Sequence, residues 1–142
     1  MSRLAPFLST VQGLRGRIYG ATDLAALQKS NLVGSVSPAA YTLPLGVGGG
    51  EADAATGLYR QPIYWLDGVL LVVKVAGDAT GGKAQQQMEP LIMDTINAIA
   101  GQDVDGMIGT YRLAKGELVG LAAGVLSYQL DFAIEDQLRI VR

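Results

Sequence analysis

Three groupings in this 142-residue chain are of types that could do chemistry. Carboxylates gather at Asp131, Glu135 and Asp136 and again at Asp103 and Asp105, and two paired carboxylates in a cleft can divide acid and base roles. Glycines gather at 46–50 and 77–82, and a glycine-rich turn that opens a helix can cradle phosphate. Arg60 and Arg112 could line an anion site between subunits.

Each grouping falls short when its spacing is checked. Gly46-Val47-Gly48-Gly49-Gly50 has no Lys-Ser/Thr pair behind it. The 77–83 segment ends in Gly82-Lys83, but Ala84 stands where a magnesium-binding hydroxyl belongs. Asp103-Val104-Asp105-Gly106 opens like a calcium loop and lacks the bidentate Glu. Asp131 and Glu135 fall on the polar face of one strand, where carboxylates more often pair across an interface than work in a cleft. The chain has no His and no Cys, which removes the near-neutral base, the thiolate and the soft metal ligands. The inventory leans away from catalysis, metals and cofactors and towards assembly.

Composition agrees. The chain is 49% hydrophobic and only 17% charged, with 19 glycines and six tyrosines, so much of its surface is suited to meeting other protein. Eleven basic against 13 acidic residues give a net charge of −2 with no basic stripe, which argues against a nucleic-acid groove. The apolar run at 69–73 is far short of the roughly 20 residues that span a bilayer. Residues 1–7 lack a long apolar segment leading to a cleavage site, so the expectation is a protein cytosolic when made, without a membrane partner.

The elements that must position these residues follow from periodicity. Leu4, Phe7, Leu8, Val11 and Leu14 predict an amphipathic helix over 3–14. A short strand follows at 17–20, then a helix over 23–30 with Thr22 as N-cap. Residues 39–45 predict a strand with Pro44 at an edge, and 46–57 a mobile loop or arm. Alternation over 59–66, then Asp67-Gly68, then apolar 69–75 predicts a hairpin with a tight turn at Asp67-Gly68. Met88, Leu91, Ile92, Ile96 and Ile99 define the apolar face of a helix over 83–100, in which Pro90 either makes a kink or marks the start of a shorter helix. Strands at 107–113 and 117–121 flank a turn at Lys115-Gly116. In the last strand Leu126, Tyr128, Leu130, Phe132 and Ile134 face inwards and Ser127, Gln129, Asp131, Ala133 and Glu135 outwards. Together these predict one α+β domain over 1–142, a mostly antiparallel or mixed sheet packed against two or three helices.

Several segments carry a resemblance. They are Tyr41-Thr42-Leu43-Pro44-Leu45-Gly46, the glycine loop, Tyr59-Arg60-Gln61, the run from Gly68 to Val75, Gly81-Gly82 before a helix, and Tyr128-Gln129-Leu130-Asp131-Phe132 with a final strand ending at Arg142. Their order resembles the tail terminator family of long-tailed bacteriophages over nearly the whole chain. The resemblance implies a structural virion protein at the head-proximal end of the tail, assembled in the host cytoplasm. Such a protein forms a homo-oligomeric ring, usually a hexamer, on the finished tail tube. It stops tube polymerisation and joins the neck or connector, and in contractile tails it also touches the last sheath ring. Candidate interface residues are Gly46, Gly48, Gly49, Gly50, Glu51, Tyr59, Arg60, Tyr64, Asp78, Thr80, Asp131 and Glu135, with the loops at 46–57 and 77–82 facing the tube or the neighbouring subunit. Trp65 and Tyr128 fit the core period instead. The alternatives are another head–tail connector or tail completion protein, or a small-molecule-binding or enzymatic oligomer with its site between subunits.

Overall fold

The computed structural model describes residues 2–142 except Thr56, Ala79, Gly81 and Ala123. Gly81, named above as part of the motif preceding a helix, therefore lies outside the described residues, as do Thr56 of the 46–57 segment and Ala79 of the 77–82 segment. In chain order the elements are α1 (Ala5–Leu8), a 3-10 turn (Gln12–Leu14), β1 (Ile18–Gly20), α2 (Ala21–Lys29), β2 (Ala39–Gly49), β3 (Leu58–Lys74), α3 (Gly82–Ile99), β4 (Arg112–Ala122) and β5 (Val125–Val141). The strands form one sheet in the order β1-β2-β3-β5-β4, parallel between β1 and β2 and antiparallel elsewhere. This is the α+β architecture that the periodicities predict.

The two central strands set the frame. β3 and β5 are each 17 residues and pair over their full length, from Leu58 opposite Val141 to Lys74 opposite Val125. At 3.3–3.4 Å per residue they span roughly 55 Å, longer than the helices can cover. Asp67 to Val73 is buried without interruption, because helices lie on both faces there. On one face α1, the 3-10 turn and α3 cover Val69, Leu71, Val73, Leu130, Phe132 and Ile134. On the other, α2 packs on Ala39, Tyr41, Leu70 and Val72.

The first helix is shorter than the 3–14 expectation. Leu4, Leu8, Val11 and Leu14 are buried as the spacing requires. The α-helix nevertheless stops at Leu8, because the Ser9 and Thr10 hydroxyls donate to the Pro6 and Phe7 carbonyls at 2.6 and 2.7 Å and compete with helical bonding. The second helix begins before Thr22. Its N-cap is Gly20, whose N–H donates to the Asp23 carboxylate at 2.9 Å. α3 runs through Pro90, which sits on its exposed side, where the carbonyl left without a partner can meet water.

Two predicted reversals are not reversals. Asp67-Gly68 lies in mid-β3, paired with Phe132 and Asp131 on β5 and with Pro44 and Leu43 on β2. Gly68 is there for room: a Cβ on it would lie 2.9 Å from Leu45 Cδ1. Lys115-Gly116 is likewise continuous strand, opposite Asp131 and Leu130, and a Cβ on Gly116 would lie 2.9 Å from Leu130 Cδ2. The chain turns instead between Ala122 and Val125, where Gly124 has φ +77°. Residues 107–110 are not strand. They are a loop held by the Gly109 N–H on the Glu135 carbonyl at 3.0 Å.

The expected loop at 46–57 is, in its first half, a paired strand. β2 continues to Gly49, opposite Ile63, past a bulge between Pro44 and Gly46. Beyond it the Gly50 N–H donates to the Pro62 carbonyl at 2.8 Å, and Asp53 and Arg60 exchange two backbone bonds of 2.7 Å. The glycines make space for β3 side chains to fold over β2. A Cβ on Gly48 would overlap the Tyr64 ring, and one on Gly50 would lie 2.8 Å from Pro62 Cγ.

Candidate assembly surfaces

The strongest polar constellation is one the sequence concealed. Arg3 donates to both oxygens of Asp67, from Nε and Nη2 at 3.0 Å each, and the Tyr111 hydroxyl donates to Asp67 Oδ2. The Arg3 guanidinium also lies 5.0 Å from the Trp65 ring centroid. Burial, with the Asp67 carboxylate alongside, pushes the Tyr111 phenol well above its ordinary range, although Arg3 acts the other way. Both Asp67 oxygens are engaged, so the cluster is a clamp holding the N-terminal segment and the 102–111 loop on mid-β3. Its partners are 64 and 44 residues apart in sequence, a separation no local pattern reveals.

Most of the sequence-nominated residues come together at the far end of the sheet. Gly46, Gly48, Gly49, Tyr59, Arg60 and Tyr64 lie on a three-stranded arm made by the ends of β2, β3 and β5, Gly50 and Glu51 follow directly on the end of β2, and Glu135 sits directly opposite Tyr64. Tyr59 donates to Gln61 Oε1 at 2.8 Å, and Arg60 pairs with Asp53 at 3.1 Å. Asp78 and Thr80 belong to the opposite end, beyond Lys74, a full 17-residue strand away. The two nominated loops therefore occupy opposite poles of the sheet. Asp78 is buried and its carboxylate accepts from the Ala84 N–H at 2.9 Å, fixing the first turn of α3.

Asp131 and Glu135 share a strand face, as the alternation predicts, four residues or roughly 13 Å apart. That spacing suits contacts along a surface better than joint action on one bond. Asp131 accepts from Gln129 Nε2 at 2.9 Å and lies opposite Lys115. Among the described residues no three His, Cys, Asp or Glu gather to hold a metal ion.

The surface that sequence reasoning missed is β4. It is an edge strand and is exposed along nearly its whole length on both faces. Leu113, Leu118, Val119 and Leu121 are 41–56% exposed. Beneath it a cavity of about 330 Å³ opens against α3, lined by Met88, Ile92, Leu118, Leu121, Leu126 and Tyr128, with Thr80 at its rim. An eleven-residue edge strand that exposes Leu113, Leu118, Val119 and Leu121 beside Arg112, Lys115 and Glu117 is a template for another chain. The other edge, β1, is three residues long and flanked by α2.

Among the described residues no helix is long and apolar enough to cross a membrane. No curated protein matches the sequence. The sequence model of the family described as phage tail terminator protein matches residues 3–142, nearly the whole chain. That family comprises structural virion proteins that act in tail completion and meet other tail and head components. The chain belongs to the phage tail terminator protein family and is a structural component of the virion tail.

Proposed function

We propose that this protein closes into a head-to-tail ring of six copies on the finished tail tube, ends tube growth and forms the joint to the neck. The observation that carries this reading is the inequality of the two sheet edges. β4 is long, open and exposes four large apolar side chains, whereas β1 is short and sits beside a helix. Unlike surfaces at opposite ends of one subunit make heterologous contacts, which close into rings when the rotation allows. The three-stranded arm, with Glu51, Arg60 and Tyr64, would reach the tube or the adjacent subunit, and Glu135 at its base would join it. Asp131 would face a neighbour from the open side of β5. Thr80, at the opposite pole, would then meet the neck or, in a contractile tail, the sheath. Assembly in the host cytoplasm, at the head-proximal end of the tail, follows from that role.

Tail length decides the matter. Phage made without this protein should carry overlong tubes, with normal length restored by the protein supplied in trans. Finished tails of normal length that lack heads would instead make it a connector.

A further inference from the structure

The Tyr41 hydroxyl is buried and has no hydrogen-bond partner among the described residues. The residue itself is 0% exposed. A buried phenol left unpaired costs free energy, so a subunit that keeps one has a reason to. The Tyr41 ring forms part of the wall of a cavity of about 290 Å³ lined also by Tyr19, Asp23, Ala26, Leu27 and Val36. The Tyr19 and Tyr41 rings lie 5.6 Å apart and tilted by 33°. Asp23 is exposed and Tyr19 half-buried, and Asp23 accepts from the Gly20 N–H through Oδ2, which leaves Oδ1 to face a cation. Burial, then the nearness of Tyr19 and Asp23, pushes the Tyr41 phenol up, so it stays protonated at neutral pH.

Apolar walls, two aromatic faces and one carboxylate suit a long cationic side chain, its stem on the walls and its head among the oxygens. The register supplies a candidate. Paired residues share a face, and the row through the cavity runs Tyr19, Tyr41, Leu70, Gln129, Glu117 across all five strands. Lys115 is on the same face, two residues along β4 from Glu117. It is exposed, and its only ion pair among the described residues is with Glu117 at 3.2 Å, a surface pair of little worth. β4 runs antiparallel to β1, so the β4 edge of one copy can continue the sheet at the β1 edge of the next.

Resting on the ring reading above, we propose that this cavity receives the Lys115 side chain of a second copy, β4 of one subunit seating beside β1 of the next. The ammonium pairs with the Asp23 carboxylate and donates to the Tyr41 hydroxyl, which completes the site only in the assembly. The free subunit is thereby left with an unfilled polar pocket that the ring fills.

The chain's lack of cysteine makes the test direct. A variant carrying both Ala26→Cys and Glu117→Cys, which keeps Lys115, Asp23 and Tyr41, treated with a short bismaleimide with and without tail tubes prepared in the absence of this protein, should give a ladder extending past the dimer. Ala26→Cys alone and Glu117→Cys alone should give none. Cross-linking of Glu117→Cys with itself would show symmetric β4 pairing and overturn the contact. Wild-type rings on the tubes with no ladder from the double variant would also overturn it while sparing the ring. A wild-type protein that stays monomeric on the tubes would sink both. Tyr41→Phe supplies a second readout: association should weaken about tenfold with no loss of monomer melting temperature. A lower melting temperature would mean the hydroxyl is already satisfied in the free subunit, and the proposal would fail.

Discussion

Arg3 and Asp67 are joined by two parallel hydrogen bonds of 3.0 Å, one residue near the start of the chain and the other at the middle of β3, one of its two 17-residue strands. The Asp67 side chain is 11% exposed and that of Arg3 31%, so the two ends of the pair are unequally hidden. Removing Arg3 strands a buried carboxylate on the Tyr111 hydroxyl alone. Arg3→Ala should therefore destabilise the subunit by about 3 kcal/mol, near the low end for a broken buried pair because Arg3 is partly solvated. Tyr111→Phe leaves the ion pair whole and should cost about 1–2 kcal/mol. Urea melts of the two variants at pH 7 check the order.

The same clamp fixes the sign of an alkaline effect. Tyr111 is held protonated above the ordinary phenol value of about 10, chiefly by burial and then by Asp67. Its folded pKa is raised, so its contribution is fully present below the unfolded pKa and is lost as pH rises towards the folded one. Stability should fall as pH climbs above about 10, because only the unfolded chain releases that proton. The slope should flatten in Tyr111→Phe, measured by thermal melts across pH 9–12.

The two mid-strand glycines should differ in cost. A methyl on Gly68 meets Leu45, which is 40% exposed and can swing away. A methyl on Gly116 meets Leu130, which is 1% exposed, and Tyr128 Cε1 at 3.3 Å. Gly116→Ala should cost about 1–3 kcal/mol, the range for overpacking, and Gly68→Ala less than about 1. Equal losses would show that Leu45 is as fixed as Leu130.

These glycines also explain what the sequence disclosed and what it hid. β5 was legible because its helix-covered face carries Leu126, Leu130, Phe132 and Ile134 at even spacing while its other face is mostly polar, although Ala133, expected outwards on that face, is buried. The apolar face of α3 was legible for the same reason: Met88, Leu91 and Ile99 are buried at helical spacing. Asp67-Gly68, Lys115-Gly116 and the run at 46–50 were misread because glycine marks both a turn and a close approach, and only the partner strand tells them apart. The Asp67 carboxylate looked like a turn residue because Arg3 and Tyr111 are remote in sequence. β4 was obscured as an assembly surface because an edge exposed on both faces has no alternation to detect.

The arm can be probed without cutting a strand. Deleting 47–55, natural if that segment were a loop, would remove residues paired to β3 and confound folding with function. Tyr64→Ala instead uncovers Gly48 and leaves the backbone ladder in place. Amide exchange at Val47 and Gly49 should accelerate while global stability falls by less than about 1 kcal/mol, since Tyr64 is already 37% exposed. If the arm touches the tube, tails capped by this variant should be longer or broader in length distribution; an unchanged distribution would place the arm elsewhere.

The exposed edge gives the sharpest separation of folding from assembly. Val119 lies at the β4 bulge between Leu118 and Gly120 and is 55% exposed, so a charge there meets water in the free subunit. Val119→Asp should change monomer stability by no more than about 0.5 kcal/mol, as for an ordinary surface substitution. In an edge contact the same carboxylate would be buried without a partner, at a cost large enough to prevent association. Overlong tails from phage carrying Val119→Asp, with an unaltered melting curve for the purified protein, would place β4 in the working interface. Tails of normal length would remove β4 from it and leave the arm as the contact surface.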